Sequence, residues 1–356
     1  MRKVFMIASE SSHFRNFHTP YIDRLVQSGT AVYTAANGTF ERGGVVHTTL
    51  KFRKKITSPA NIAVIFKLAS LIRRERFDAV YTNSTLAGIA GRVAVKLSRV
   101  KTVKCRHICH GYLFNDDGSR RSRVYLLCEK LVRKRTELLA VMNSDDLEIA
   151  RKYSLGQEIV FLNGMGLDAG KFPQLSEEEL FAQREKLGAK SGEVLFLCVG
   201  EFSARKNQSA IIEACAKLCR TDYKMIFAGE GELLEDCRKK ARELGVDEKT
   251  VFLGQCSNVN LLYRACDCLV SASRFEGLPF NVMEALYCGE DIIVSDVKGN
   301  SDLAGGEGLY RYNDTDYLAE LMERTAPAER KRTLPEKYLL ENVLDEDYRL
   351  LKYGSE

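Results

Sequence analysis

The chain of 356 residues contains no run of about twenty apolar residues, which excludes an ordinary membrane-spanning helix. It also shows no apolar leader. Met1-Arg2-Lys3 passes straight into Val4-Phe5-Met6-Ile7-Ala8, which reads as a strand, so a secretory signal is not expected and the cytoplasm is the expected compartment. The 11 cysteines are odd in number and scattered through predicted strands and helices. That pattern is not a disulfide framework and suits a reducing environment. The turn Gly229-Glu230-Gly231 lacks the spacing of the fuller glycine fingerprint, which argues against dinucleotide binding there. Cys105-Arg106-His107-Ile108-Cys109-His110 holds metal-ligand residue types, yet on a strand Cys105, His107 and Cys109 share one face while His110 points the other way. No neighbouring segment offers a fourth ligand, so no metal is expected.

What the chain has is alternation. It is 45% hydrophobic and too long for one typical core, which fits two α/β domains with a cleft between them. Strand-like runs near Val4 to Ala8, Ala31 to Ala35, Val45 to Thr49, Ala79 to Asn83, Thr102 to Ile108, Leu138 to Asn143 and Ile159 to Asn163 alternate with helical stretches. The pattern restarts at Val194, with further strands near Met225 to Ala228, Val251 to Leu253, Cys268 to Ala272 and Ile292 to Ser295. This grammar implies doubly wound parallel sheets, which bind ligands at strand carboxyl ends. The glycine-rich stretch Asn163 to Pro173 is the expected boundary, giving domains at 1–170 and 171–334.

The chemistry concentrates in Glu276-Gly277-Leu278-Pro279-Phe280-Asn281-Val282-Met283-Glu284. Pro279 suits the first position of a helix, which places Glu276 in the preceding loop and Glu284 in the second turn. The amides of Phe280 to Val282 then lack intrahelical partners, and with the helix dipole they form an anion site fit for a diphosphate. Two carboxylates beside a diphosphate would repel it, so they are better matched to sugar hydroxyls, and the combination suggests a nucleotide sugar. An ordinary capped helix with two solvated glutamates is the plain alternative. Upstream, the buried strand Val194 to Gly200 runs into the basic turn Glu201-Phe202-Ser203-Ala204-Arg205-Lys206-Asn207 and an amphipathic stretch from Gln208 to Leu218. Lys206 at the carboxyl end of a strand reaches a diphosphate, with Arg205 as helper; the alternative for both is solvated surface charge.

These residues carry a resemblance. The segment from about Val194 to Leu303 resembles the C-terminal half of the retaining GT-B glycosyltransferases usually called family 4. The pieces that carry it are Gly200 with Lys206, Phe227-Ala228-Gly229-Glu230-Gly231, Val251-Phe252-Leu253-Gly254, the glutamate pair, and Lys298-Gly299-Asn300-Ser301-Asp302-Leu303. The last is most similar to the branch that builds bacterial capsule and exopolysaccharide. The amino-terminal half agrees more loosely, through Ser12-His13-Phe14-Arg15-Asn16-Phe17-His18, His110-Gly111 and Asn163-Gly164-Met165-Gly166-Leu167-Asp168.

The resemblance implies two Rossmann-like domains facing across a cleft, with a last helix, in segment 335–356, crossing back to the first domain. It implies that Glu276 contacts the donor hexose, Glu284 the ribose and Lys206 the diphosphate, that His110 lies against the hexose, and that Ser12, His13 and Phe14 face the acceptor side. Many members carry an arginine directly after the glycine matching Gly200, where this chain has Glu201.

Charge divides unevenly. Residues 1–170 hold 28 Lys and Arg against 14 Asp and Glu, a balance of +14; the remainder holds 25 against 34, or −9, which sums to the overall +5. Much of the excess lies in Lys51-Phe52-Arg53-Lys54-Lys55, in Arg73-Arg74-Glu75-Arg76, and in Arg120-Arg121-Ser122-Arg123 through Arg133-Lys134-Arg135, which brackets Val124-Tyr125-Leu126-Leu127. Cations around an apolar stripe suit a helix lying on anionic lipid; a core-facing stripe with solvated charges is the alternative. No RNA or DNA module accompanies the charge, so nucleic acid is not an expected partner. The expectation is a retaining transferase moving a hexose or N-acetylhexosamine from a nucleotide sugar, UDP-linked, to a lipid-linked saccharide at the inner face of the cytoplasmic membrane, without a cofactor. A sugar-nucleotide epimerase of similar architecture and an inactive nucleotide-sugar-binding subunit are the alternatives.

Overall fold

The computed structural model describes residues 1–53, 58–327 and 332–353. Lys54 and Lys55 of the first basic cluster and residues 354–356 of the final segment lie outside the described residues. The chain forms two compact units, one of residues 1–166 with 341–356 and one of residues 167–340.

The first unit is built on a seven-stranded parallel sheet of β1 (Lys3–Glu10), β2 (Ala31–Asn37), β3 (Val45–Thr49), β4 (Ala79–Asn83), β5 (Lys104–Cys109), β6 (Leu138–Val141) and β7 (Glu158–Phe161), in the order β3-β2-β1-β4-β5-β6-β7. The second carries β8 (Val194–Val199), β9 (Tyr223–Ala228), β10 (Thr250–Gly254), β11 (Cys268–Ser271), β12 (Asp291–Ser295) and β13 (Leu309–Tyr310), in the order β10-β9-β8-β11-β12-β13. The two-residue β13, paired with β12, is too short to show a periodicity in the sequence.

Continuous apolar strands form because both sheet faces are covered by helices. In β8, Leu195 and Leu197 enter one core and Val194, Phe196 and Cys198 the other, the alternation that the pleat imposes. The sheet order reverses between β1 and β4 in one unit and between β8 and β11 in the other. Crevices for ligands open at such switch points, beyond the strand carboxyl ends.

The chain changes unit twice, and the two crossings are stitched together within the second unit. Leu167 donates its amide to Tyr338 and accepts from the amide of Leu340, both at 2.8 Å. From there the helix Leu340–Tyr353 returns to the first unit, where Asp345 pairs with Arg24 and the Tyr348 hydroxyl lies 3.2 Å from that of Ser28.

One buried ion pair orients a surface helix of the first unit. Arg92, fully buried on the helix Thr85–Ser98, donates two 2.8 Å bonds to Glu129 on the helix Arg120–Val132. A bidentate pair of this kind adds geometric specificity to the packing of the two helices. The inward face of Arg120–Val132 is thereby set by Glu129, Ser122 and Val132, and Val124, Leu127 and Leu131 turn outward, 53, 58 and 67% exposed. Arg120, Arg121, Arg123, Lys130, Lys134 and Arg135 are exposed with them. This corrects the core-facing alternative for Val124 and Leu127, half of the stripe Val124 to Leu127. Only Tyr125 and Leu126 pack inward, against a core that includes Cys109 and Tyr112. Among the described residues no helix is long and apolar enough to cross a membrane.

Candidate active site

The switch point of the second unit gathers the residues singled out in its sequence. The loop after β8 carries Arg205 and Lys206, and the loop after β11 carries Glu276. The loops are tied by backbone: Arg274 donates its amide to the Arg205 carbonyl at 2.8 Å. Side chains close the arrangement. Lys206 Nζ lies 2.7 Å from Glu276 Oε1, and Arg205 Nη1 lies 2.9 Å from Glu276 Oε2. Glu276 is buried. Burial alone would push its carboxyl up, but the charges of Lys206 and Arg205 and hydrogen bonds from Lys206 and Ser273 outweigh it and hold it below the ordinary range. The glutamate and the two cations therefore leave one net positive charge at the carboxyl end of β8.

Glycines allow these loops to approach. A Cβ on Gly229 would lie 2.0 Å from the Gly200 carbonyl oxygen, and one on Gly231 would lie 2.3 Å from that of Phe202. The Gly229-Glu230-Gly231 turn is thus explained by backbone packing against the basic turn, with Phe202 donating to the Glu230 carbonyl at 2.8 Å. On the other side a Cβ on Gly299 would sit 2.1 Å from the Gly277 carbonyl oxygen, so the Lys298-Gly299-Asn300 turn supports the Glu276 loop directly. Glu201 is exposed, and its carbonyl accepts from the buried Gln208 side chain at 3.0 Å. The helix beginning at Gln208 ends at Cys215, short of the expected Leu218.

The helix of the glutamate motif spans Phe280–Cys288. Pro279 is its cap and not its first helical residue, a correction with a simple cause: ψ of Pro279 is 118°, outside the helical region, while its carbonyl already accepts from Met283 at 3.2 Å. A missing N–H is as harmless at the cap as one position later. Asn281 donates to the Val199 carbonyl at 3.3 Å, which fastens the helix start to the end of β8. Val282 is buried completely, and Leu278 and Phe280 pack against the same core, so these side chains shape the site from behind. Glu284 accepts from the Tyr263 hydroxyl at 2.7 Å. Burial pushes its carboxyl up to about 7 against that bond and the charges of Lys171 and Lys206. The two glutamates are therefore unlike: one is held ionised by cations, the other is poised between forms at neutral pH.

In the first unit the residues beyond β1 and β5 converge. Ser12 and His13 line an open pocket of about 210 Å³ with Ser9, Glu10, Asn16, Phe17 and Ser84. Phe14 does not join them. Its ring is fully buried and packs 5.5 Å from Phe40, a correction that follows from geometry, since consecutive residues of a helical turn point about 100° apart. His110, directly after β5, lies with its ring centroid 4.4 Å from that of His13 and 5.2 Å from that of His18. Burial lowers His13 to about 4 and takes His18 and His110 well below the ordinary histidine range, so all three rings are neutral at physiological pH. Sequence spacing did not reveal His18 as a neighbour, because the five-residue separation from His13 is brought together only by a π-helical turn at Phe14–His18. His107, by contrast, is a satisfied core residue: its Nδ1 is within 3.0 Å of the Thr82 side chain.

Comparison with known proteins is consistent along the chain. Residues 25–162 match the family model described as glycosyl transferase 4-like domain, and residues 181–331 that of glycosyl transferases group 1. The chain is 28% identical over 331 residues to the putative glycosyltransferase EpsD of Bacillus subtilis, covering 91% of this chain and 87% of that one. It is 29% identical over 273 residues to the UDP-Gal:alpha-D-GlcNAc-diphosphoundecaprenol alpha-1,3-galactosyltransferase of Escherichia coli, covering 73% and 69%. Among solved structures, Anabaena HepE in complex with UDP and glucose superposes with a TM-score of 0.79 at 15% identity, covering 99% of this chain and all of that one.

Proposed function

This chain belongs to the GT4-like glycosyltransferases with the GT-B fold, and from that premise we propose that it transfers a hexose or N-acetylhexosamine, with retention, from a UDP-sugar to a lipid-linked saccharide in polysaccharide biosynthesis. The observation that carries the donor half of this reading is the cluster of Lys206, Arg205, Glu276 and the start of the helix Phe280–Cys288 at one switch point. Departure of the nucleoside diphosphate makes the sugar oxocarbenium-like and loads negative charge on the leaving group. Lys206 and Arg205 meet that charge as it grows, which is where preorganised cations lower a barrier. Donor entry makes the diphosphate compete with Glu276 for both cations. The carboxylate so released faces the hexose hydroxyls, while Glu284, ionised, accepts from the ribose diol. Charge compensation by protein groups leaves no task for a dedicated metal in the transfer step. The resemblance assigns His110 to the hexose, and the first unit's pocket at Ser12 and His13 is assigned to the acceptor. A same-face attack, with the leaving phosphate taking the acceptor's proton, fits a site without a second base.

The acceptor half rests on two supports. The Escherichia coli relative is named for a diphosphoundecaprenol-linked acceptor, and the exposed stripe Val124, Leu127 and Leu131 among exposed arginines and lysines suits docking on anionic lipid from the cytoplasmic side. The decisive experiment incubates the protein with UDP-, GDP- and ADP-sugars and an undecaprenyl-diphosphate-linked sugar and analyses the products. Chain extension with a UDP-sugar, with the anomeric configuration kept, is expected. Epimerised donor with no extension would replace the transferase reading, and absence of turnover despite a nucleotide-dependent rise in Tm would favour a binding subunit.

A further inference from the structure

The three histidines of the first unit are left with more binding capacity than the fold uses. His13 Nε2, both ring nitrogens of His18 and His110 Nε2 are shielded from solvent and have no hydrogen-bond partner. Buried polar atoms in folded proteins are nearly always partnered, and a neutral imidazole has one donor and one acceptor to satisfy. His18 has neither satisfied, though it is 1% exposed. One ring nitrogen from each histidine lies within 4.8 Å of the other two. We propose that His13, His18 and His110 form a binding site for a zinc-type transition-metal ion, with one coordination position left for water.

Geometry and chemistry agree on this. A tetrahedral zinc with ligand nitrogens at about 2.0–2.1 Å needs those nitrogens about 3.4 Å apart. Closing from 4.8 Å takes small rotations of three side chains. The ligand set is all imidazole, with no carboxylate among the three, which selects zinc, cobalt, nickel or copper over magnesium and calcium. The backbone is arranged for convergence. On an α-helix residues five apart point roughly 140° from one another, whereas the i→i+5 bonding of the π-turn at Phe14–His18 brings the rings of His13 and His18 to 5.1 Å. The third ring arrives from the end of β5, two strands away from β1 in the sheet. Cys105, His107 and Cys109 do not form a rival site, since the His107 Nδ1 is engaged by Thr82.

The site is built only from side chains of the first unit. A bound ion occupies the ring nitrogen of His110, so metal binding and contact of that nitrogen with a sugar exclude each other. On the proposed role of His110 against the sugar, on which this consequence rests, zinc is an inhibitor and not a cofactor.

The test uses the full chain freed of metal by chelator. Equilibrium dialysis with zinc chloride is expected to give one tightly held ion per chain. Cobalt is expected to give the strong visible absorption of a four-coordinate site without the near-ultraviolet thiolate band. His18→Gln and His13→Asn, each first shown to melt as one cooperative unit, should lower zinc affinity by more than about 100-fold, since loss of a mere supporting contact already costs 10–100-fold. If His18→Gln does not fold, His13→Asn decides the matter alone. Zinc bound equally by a folded variant and the parent, a thiolate band with cobalt, or no stoichiometric binding by the parent would each overturn the proposal.

Discussion

Lys206 and Glu276, separated by seventy residues of chain, meet at 2.7 Å on the carboxyl side of β8 and β11. The cation read as a diphosphate ligand is thus held by the carboxylate read as a hexose ligand, with Arg205 on its second oxygen. On the proposed donor reading, an incoming diphosphate displaces that carboxylate. The arrangement concentrates positive charge at the carboxyl end of β8 in a chain that has Glu201 directly after Gly200.

Replacing Lys206 by alanine removes leaving-group stabilisation and leaves a buried carboxylate with one partner fewer. Turnover is expected to fall by about 100- to 1000-fold, the range for loss of one preorganised donor, with a lower Tm as well. Arg205→Ala, at a more exposed position, should cost less. Glu276→Gln should lower kcat more than it raises KM, because its proposed partner is the reacting sugar. Steady-state kinetics of the three variants checks the order, and wild-type turnover in Lys206→Ala would return that lysine to the surface.

Glu284 should make nucleotide binding depend on pH near neutrality. Its carboxyl is pushed up to about 7 from an ordinary 4.5, so between those values the folded protein keeps a proton that the unfolded chain has released. Its contribution to stability is complete below the lower value and is lost as pH rises through the higher one. Binding runs in the opposite direction. Ribose hydroxyls need an ionised acceptor, so UDP affinity should rise from pH about 6 to pH about 8 with release of protons. Tyr263→Phe removes the bond that favours the ionised form and should move the midpoint upward, while Glu284→Gln should flatten the profile. Calorimetry in two buffers of different ionisation heat measures the proton release, and a flat parent profile would refute this role.

Gly299→Ala tests the support of the Glu276 loop. The new Cβ would meet the Gly277 carbonyl oxygen at 2.1 Å at a residue with φ of 80°, so the backbone must shift. A loss of about 1–3 kcal/mol is expected for such strain, together with weaker UDP binding. Gly245→Ala, at similar φ but with open space around it, should lower stability without touching UDP affinity. Equal UDP affinities in the two variants would mean that the Lys298-Gly299-Asn300 turn does not position the site.

The helix Arg120–Val132 should bring the protein to vesicles containing phosphatidylglycerol and not to neutral ones. Each basic residue near the surface contributes about 1 kcal/mol, and the attraction fades as the screening length falls from about 10 Å at 0.1 M salt to about 3 Å at 1 M. Replacing Arg120, Arg121 and Arg123 by serine should weaken vesicle sedimentation and turnover of lipid-linked acceptor. Leu127→Ser with Leu131→Ser should weaken binding in a manner that salt does not reproduce, and UDP binding should survive both sets. Parent-like sedimentation of the charge variant would mark the patch as solvated surface.

The alternation of apolar strands and helices was legible because it is local: β3 and β4 occupy the expected residues to the position, and β8 reads as buried from its composition alone. So was the loop-to-helix form of the glutamate motif, with Glu276 before the helix and Glu284 on it, which needs no knowledge of distant chain. Tertiary structure decided what depends on partners far apart in sequence. It turned Phe14 inward, made Pro279 a cap, and turned Val124, Leu127 and Leu131 outward through the buried Arg92–Glu129 pair. It also placed Glu276 between two cations, left Glu284 in a setting that holds its proton near neutrality, and drew His13 and His18 to His110. Periodicity records which face of an element is buried, whereas the charge state of a carboxylate and the meeting of three imidazoles are set by neighbours that only the folded sheets bring within a few ångströms.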